Sequence, residues 1–217
     1  MVARHIARAN KGFTLVEMLV AMMVLAVLGL MSWRGIDGMV RAQEDNQARS
    51  AGLIALQNGL AQWGTDLDSI QLGTRHSVAW NGSVLRLTRT TSEGGVAGLR
   101  VVAWGLRDTM EGPQWTRWQS AVFNTTEQLD QAWAAADRWG QGQNDDSAGS
   151  ATVVVPVSEW TLLNYQGSAW KDGPFVIAPS DKGPDAVRLQ LNLAPGRSIS
   201  GRITRDWLRP TLAGTKV

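Results

Sequence analysis

Residues 13–33 are apolar with one ionisable exception, Glu17, and this run of about 21 residues constrains the fold more than any other feature of the chain. As a helix rising 1.5 Å per residue it reaches roughly 30 Å, the thickness of a bilayer core. A short leader carrying Arg4, Arg8 and Lys11 precedes it. An ordinary secretory signal ends its apolar stretch at a small-residue cleavage site, whereas here the basic leader stops at Gly12-Phe13, before the apolar run begins. Cations ahead of the span and a long polar chain behind it predict a cytoplasmic amino terminus and a translocated carboxy-terminal domain.

Glu17 breaks the apolar pattern. A carboxylate among lipid-facing side chains costs a few kcal/mol, less near the membrane boundary, so it needs compensation. One reading is an end-of-helix charge that snorkels to the headgroups; the other is a functional group. If the chain is cut after Gly12, Phe13 acquires a cationic amine one helical turn from Glu17, in its own chain or in a neighbour's. Subunits already bundled would then be matched by charge in a medium of low dielectric.

The basic leader, Gly12-Phe13-Thr14-Leu15-Val16-Glu17 and the apolar helix together resemble the type IV pilin superfamily, with a nearly complete match over residues 11–21. The resemblance implies that a membrane prepilin peptidase cuts between Gly12 and Phe13. It implies that the same enzyme N-methylates Phe13 and that Glu17 is needed for subunit assembly.

Composition narrows the remainder. The chain has 217 residues, 44% of them hydrophobic, leaving one domain of roughly 150 residues behind the helix, enough for a real core. The formal charge of +2 comes from the leader; without its three cations, 18 Lys and Arg face 19 Asp and Glu. Nucleic-acid binding thus has no electrostatic support. With no cysteine, neither a disulfide framework nor a thiolate metal site is available. Histidine chemistry beyond the leader would rest on His76 alone, read as a strand-end surface residue.

Residues 34–68 continue a helical pattern, with Leu53, Leu56, Leu60, Trp63 and Leu67 on one stripe that should face the globular domain. Gln43, Glu44, Asp45, Gln47 and Arg49 lie on the solvated side. The helix would run roughly 80 Å, with Gly35, Gly38, Gly52 and Gly59 as candidate bends. After Gly73 the period becomes two. Strands are predicted at 77–80 and 83–89 around a tight Asn81-Gly82 turn, then at 99–106 and 114–123 around a turn at 111–113. A short helix is predicted over 126–139, with Leu129, Trp133 and Ala136 on one face. Residues 140–150 read as a polar loop. Asn144, Asp145 and Asp146 there do not match an EF-hand spacing, so no metal is assigned. Strands resume at 152–157, 159–165, 175–177, 186–193 and 197–205. The predicted class is α+β: a long N-terminal helix packed on antiparallel sheet, pilin-like, divided into leader (1–12), transmembrane and filament-core helix (13–33), amphipathic continuation (34–68) and periplasmic β-rich domain (69–217).

Within the superfamily, Arg34-Gly35-Ile36-Asp37-Gly38-Met39-Val40-Arg41-Ala42-Gln43-Glu44, Leu85-Arg86-Leu87-Thr88-Arg89, Leu162-Leu163-Asn164-Tyr165-Gln166-Gly167-Ser168-Ala169-Trp170 and Ala186-Val187-Arg188-Leu189-Gln190-Leu191 resemble the J-type minor pseudopilin of type II secretion. That resemblance implies a place in the bacterial inner membrane and at the pseudopilus tip. It implies I-type and K-type minor pseudopilins and the major pseudopilin as partners, no cofactor, and a role in exporting folded proteins across the outer membrane. A minor pilin of a type IV pilus, serving adhesion or motility, and a membrane-tethered cargo or carbohydrate binder are the alternatives. No H-E-x-x-H, P-loop or G-x-S-x-G occurs, and Gly196-Arg197-Ser198-Ile199-Ser200-Gly201 reads as a turn entering a strand, so no catalytic residue is assigned.

Tryptophan supplies 11 of the 15 aromatic residues and therefore most of the large apolar contact area. Trp63, Trp80, Trp104 and Trp133 are expected in the core. Trp115 and Trp118, an odd number of strand positions apart, point to opposite faces, and one of them is expected to be exposed and to meet a partner.

Overall fold

The computed structural model describes residues 12–93, 95–143, 148–194 and 199–210. The leader cations, the Asn144 to Asp146 segment and the start of the last predicted strand (197–198), with the glycine-rich turn before it, lie outside them. The chain divides into two compact units, Met1–Ala48 and Arg49–Val217. One helix, α1 (Leu15–Asp68), belongs to both.

In the first unit α1 carries only exposed side chains, and the one described helix long and apolar enough to cross a membrane starts here. In the second unit its last turns bury Leu56, Gly59, Trp63, Asp66 and Leu67. Leu60 is half-buried, but Leu53 is 42% exposed, so the buried stripe is shorter than the periodicity predicts. Gly59 is required by proximity: a Cβ there would meet Cγ1 of Val154 at 2.2 Å.

Beyond α1 come β1 (Val78–Trp80), β2 (Val84–Glu93), β3 (Val96–Thr109), β4 (Gly112–Ser120), α2 (Thr126–Gly140), β5 (Gly149–Gln166), β6 (Ala169–Asp172), β7 (Phe175–Ile177), β8 (Ala186–Leu193) and β9 (Gly201–Leu208). They form one antiparallel sheet in the order β7-β1-β2-β3-β4-β5-β8-β9, with β6 also paired to β5. The predicted α+β class is the observed one. Two predicted strands, 152–157 and 159–165, are a single strand, because the break between them is a bulge at Ser158 rather than a turn. The hairpin turns one residue later than Asn81-Gly82 suggests. Asn81 pairs with Val84, and its side-chain oxygen accepts from the amides of Ser83 and Val84 at 2.9 and 2.8 Å. Strand β3 is longer than predicted at both ends, β4 ends at Ser120, β6 was not predicted, and β9 continues to Leu208.

Alternation along the strands gives the sheet two buried faces. Leu85 and Leu87 of β2, Val102 and Trp104 of β3, and Trp115 of β4 face α1 in the larger core, with Trp160, Leu162, Val187, Leu189 and Leu191 from the other half of the sheet. Val84, Val101, Ala103 and Trp118 face the opposite way and pack on Leu129, Ala136 and Trp139 of α2. Helix α2 starts with a capping box between Thr125 and Gln128. Trp115 and Trp118 do lie on opposite faces, but both are buried, at 0% and 3% exposure, because each face has its own helical cover. The expected exposed tryptophan here does not exist. Trp63, Trp80 and Trp104 are buried as expected, whereas Trp133 is half-buried and stacks on His76 with ring centroids 5.0 Å apart. His76 lies just before β1 and pairs with Asp130 of α2 at 3.1 Å.

Five indoles fill the space between α1 and the sheet. Trp104 stacks on Trp115 at 4.4 Å, Trp63 meets Trp104 edge-on at 5.5 Å, and Trp80 meets Trp160 edge-on at 4.9 Å. Beside them sits Asp66, fully buried. Its Oδ2 accepts from Trp104 Nε1 at 2.9 Å and Arg117 Nε at 2.8 Å; its Oδ1 accepts from Arg117 Nη2 at 2.9 Å, Gln62 Nε2 at 2.8 Å and Arg89 Nη1. One carboxylate thus joins α1 to β2, β3 and β4. Removing one member of such a buried cluster strands the others' charge at a cost of about 3–5 kcal/mol. Asp66→Ala is therefore expected to lower the unfolding free energy of the full chain in detergent by about that amount, read by urea titration of tryptophan fluorescence.

The half of the sheet beyond α2 leaves its outer face open. There Arg188 forms a bidentate pair with Asp206 across β8 and β9, at 2.7 Å on both arms, and lies over the Trp170 ring at 4.3 Å. The hydrogen bonds from Arg188 hold the Asp206 carboxyl below the usual carboxylate range. A carboxyl with a depressed folded value contributes stability that is complete above its unfolded value near pH 4 and disappears as pH falls through the lower folded value. Asp206→Asn should accordingly flatten the loss of thermal stability between roughly pH 4 and pH 2 relative to the unaltered chain, measured by melting at successive pH values.

Candidate functional site at the start of the helix

Gly12, Phe13 and Thr14 precede the first helical residue and are exposed, Phe13 by 83%. The Gly-Phe peptide therefore lies in exposed, non-helical chain just ahead of α1, where a protease can reach the backbone. Gly12 has open space around its α-carbon.

Thr14 and Glu17 form a reciprocal cap. The Thr14 amide and hydroxyl both donate to Oε2 of Glu17 at 3.0 Å, and the Glu17 amide donates back to the Thr14 hydroxyl oxygen at 3.3 Å. Thr14 is the residue before the helix and Glu17 its third residue, the spacing of a capping box. The carboxylate also sits in the first turn, where unpaired helix amides favour negative charge. The sequence reading sought compensation for Glu17 only in the headgroups or in an amine at Phe13. The Thr-x-x-Glu spacing, a helix-start signature, was the signal that points to this partner.

The structure brings Glu17 and Thr14 together and keeps Phe13 and Gly12 adjacent and accessible. Among the described residues no cluster of three or more His, Asp or Glu side chains suitable for a metal occurs.

The model of the prokaryotic N-terminal methylation motif matches residues 7–33. No curated protein matches the chain in sequence. A chain in the crystal structure of the GspK–GspI–GspJ complex, from the type 2 secretion system of enterotoxigenic Escherichia coli, has the same fold, with a TM-score of 0.51 and 16% identity over 72% of this chain and 96% of that one.

Losing a cap costs about 1 kcal/mol, a severalfold change in the opening equilibrium of the first turn. Thr14→Ala is expected to speed amide exchange over residues 15–18 severalfold in detergent micelles, while Thr14→Ser leaves it close to the unaltered rate. The chain thus carries a prokaryotic N-terminal methylation motif over residues 7–33 and shares the fold of a chain in that secretion complex.

Proposed function

We propose that the chain is a minor pseudopilin of the J type in a type II secretion system. It acts by assembly rather than by catalysis. Its leader is removed between Gly12 and Phe13, the new amine of Phe13 is methylated, and residues 13–33 serve first as an inner-membrane anchor and then as part of a filament core. The amino terminus is cytoplasmic before processing and the β-rich domain periplasmic. At the filament tip its partners are I-type and K-type minor pseudopilins, with the major pseudopilin below.

The observation that carries this reading is the union in one chain of the methylation motif and a fold shared with a subunit of the GspK–GspI–GspJ complex. Glu17 fits an assembly role on physical grounds. Its capping partners occupy Oε2, and no other donor among the described residues reaches Oε1, which can accept from a neighbouring subunit's amine in the membrane. The neighbour's amine would then be accepted where the low dielectric makes the contact selective.

The test is co-purification of the full chain, processed by a prepilin peptidase and extracted in detergent, with I-type and K-type minor pseudopilins. A stable ternary assembly is the expected outcome. Binding to minor pilins of a type IV pilus instead would move the chain to that filament. Two substitutions sharpen the assignment: Gly12→Asp should leave the chain at full-length mass with no added methyl group by mass spectrometry. Glu17→Gln should be cut normally yet fail to enter the assembly.

A further inference from the structure

The first half of β5 has an open edge. Strand β4 pairs with residues 149–156 on one side, and β8 reaches only as far as Val157 on the other, where the Ala194 amide still donates to the Pro156 carbonyl. Among the described residues nothing pairs with the outer edge of residues 149–155. Proline has no N–H, so the Gln114–Pro156 pair is of the non-hydrogen-bonded kind, and alternation along β4 makes the Thr116–Val153 and Trp118–Ala151 pairs the same. The N–H and C=O groups of Ala151 and Val153 therefore point away from β4, toward the open side.

Proteins ordinarily blunt such an edge with lysine, proline or a bulge. Here Ser150, Ala151, Thr152 and Val153 are all exposed and uncharged, Thr152 and Val153 are good strand formers, and the bulge lies beyond them at Val154. The edge is thus fit to receive another strand.

A groove of about 330 Å³ runs between this edge and α1, lined by Ala55, Asn58, Gly59, Gln62, Arg117 and Thr152, with Val153 and Val154 at its rim. A strand added to β5 would send alternate side chains into it. None of the residues lining the groove is acidic. Arg117 reaches it from the buried cluster in which the single carboxylate of Asp66 faces two guanidiniums, Arg89 and Arg117. Arg117 Nε and Nη2 are held by Asp66 and Nη1 by Gln119, so Arg117 lends the groove a positive potential rather than a free donor.

We infer that the edge of β5 over residues 150–153 is a strand-addition site for an extended segment of a partner minor pseudopilin, which places a carboxylate in the groove beside Arg117. This rests on the proposed place of the chain among I-type and K-type partners. The backbone ladder supplies affinity and the groove supplies selection for an acidic, short side chain.

The experiment is amide exchange and affinity on the full chain in detergent, alone and with the purified I-type and K-type proteins. In the complex the amides of Ala151 and Val153 should exchange at least about tenfold more slowly. Val153→Pro, which removes an outward N–H that the fold does not use, should weaken binding about tenfold or more. Thr152→Glu, which places a carboxylate in the groove from within the chain, should weaken it about tenfold, and Thr152→Gln by less than about twofold. A complex that forms with these amides unchanged and all three variants binding normally overturns the site and leaves the pseudopilin reading standing. Absence of any complex overturns that reading and the site with it. Protection of the same amides in the chain alone, growing with its concentration, would make a second copy the occupant and overturn the assignment to a partner.

Discussion

Asp66 takes its place at the end of a helix, among indoles and out of contact with solvent, and the second unit is organised around satisfying it. Its carboxylate accepts from Arg89, Trp104 and Arg117 on three successive strands and from Gln62 one turn earlier on α1. A buried charge is tolerable only when paired and hydrogen-bonded, so these strands must stand in one register under one rotation of the helix. Trp104 illustrates the coupling: the ring that stacks on Trp115 is the ring whose N–H reaches Asp66. The apolar layer supplies most of the burial free energy without direction, and the carboxylate supplies direction.

The second organising element is β5. Over 18 residues it belongs to both halves of the sheet, and its two bulges, at Val154 and Ser158, turn it between them. Val154 rests on Gly59, so at the first bulge the helix backbone is in direct side-chain contact with the sheet. On the near side α2 closes the outer face of β2, β3 and β4; on the far side the outer face of β5, β8 and β9 is left to charged pairs and to Tyr165 and Trp170. The sheet is thus covered by a helix on one half of its outer face and open on the other.

Local rules read well where a local cause operates. Helix α2 lay within one residue of its predicted span because its capping box and apolar face are written in consecutive residues. Strand β8, buried on alternate positions, matched its prediction over residues 186–193. The failures share a cause. A glutamate at a strand centre and a serine before it look like a break, yet pairing with β8 carries the strand through. Trp118 looked like a spare aromatic because the helix that covers it follows it in sequence and folds back onto it. At the amino-terminal site the residues were legible and one relation was not: Glu17 was read for its charge, and its hydrogen bonds with Thr14 were overlooked although their spacing was visible.

The apolar span, the Gly12-Phe13 junction, the single carboxylate within that span and the change from helical to strand period after Gly73 are legible in the sequence alone. Each depends on composition or spacing over a few consecutive residues, where side-chain chemistry acts without distant help. Tertiary pairing alone made Asp66 the buried acid among the described residues, brought Arg89 and Arg117 to share it, and left the outer edge of the first half of β5 without a partner among those residues. The residues in those relations are 23 and 51 positions apart, and their meeting is set by which strands pair and where bulges fall. Pairing is chosen by the burial of whole faces, a collective quantity that no short stretch of sequence contains.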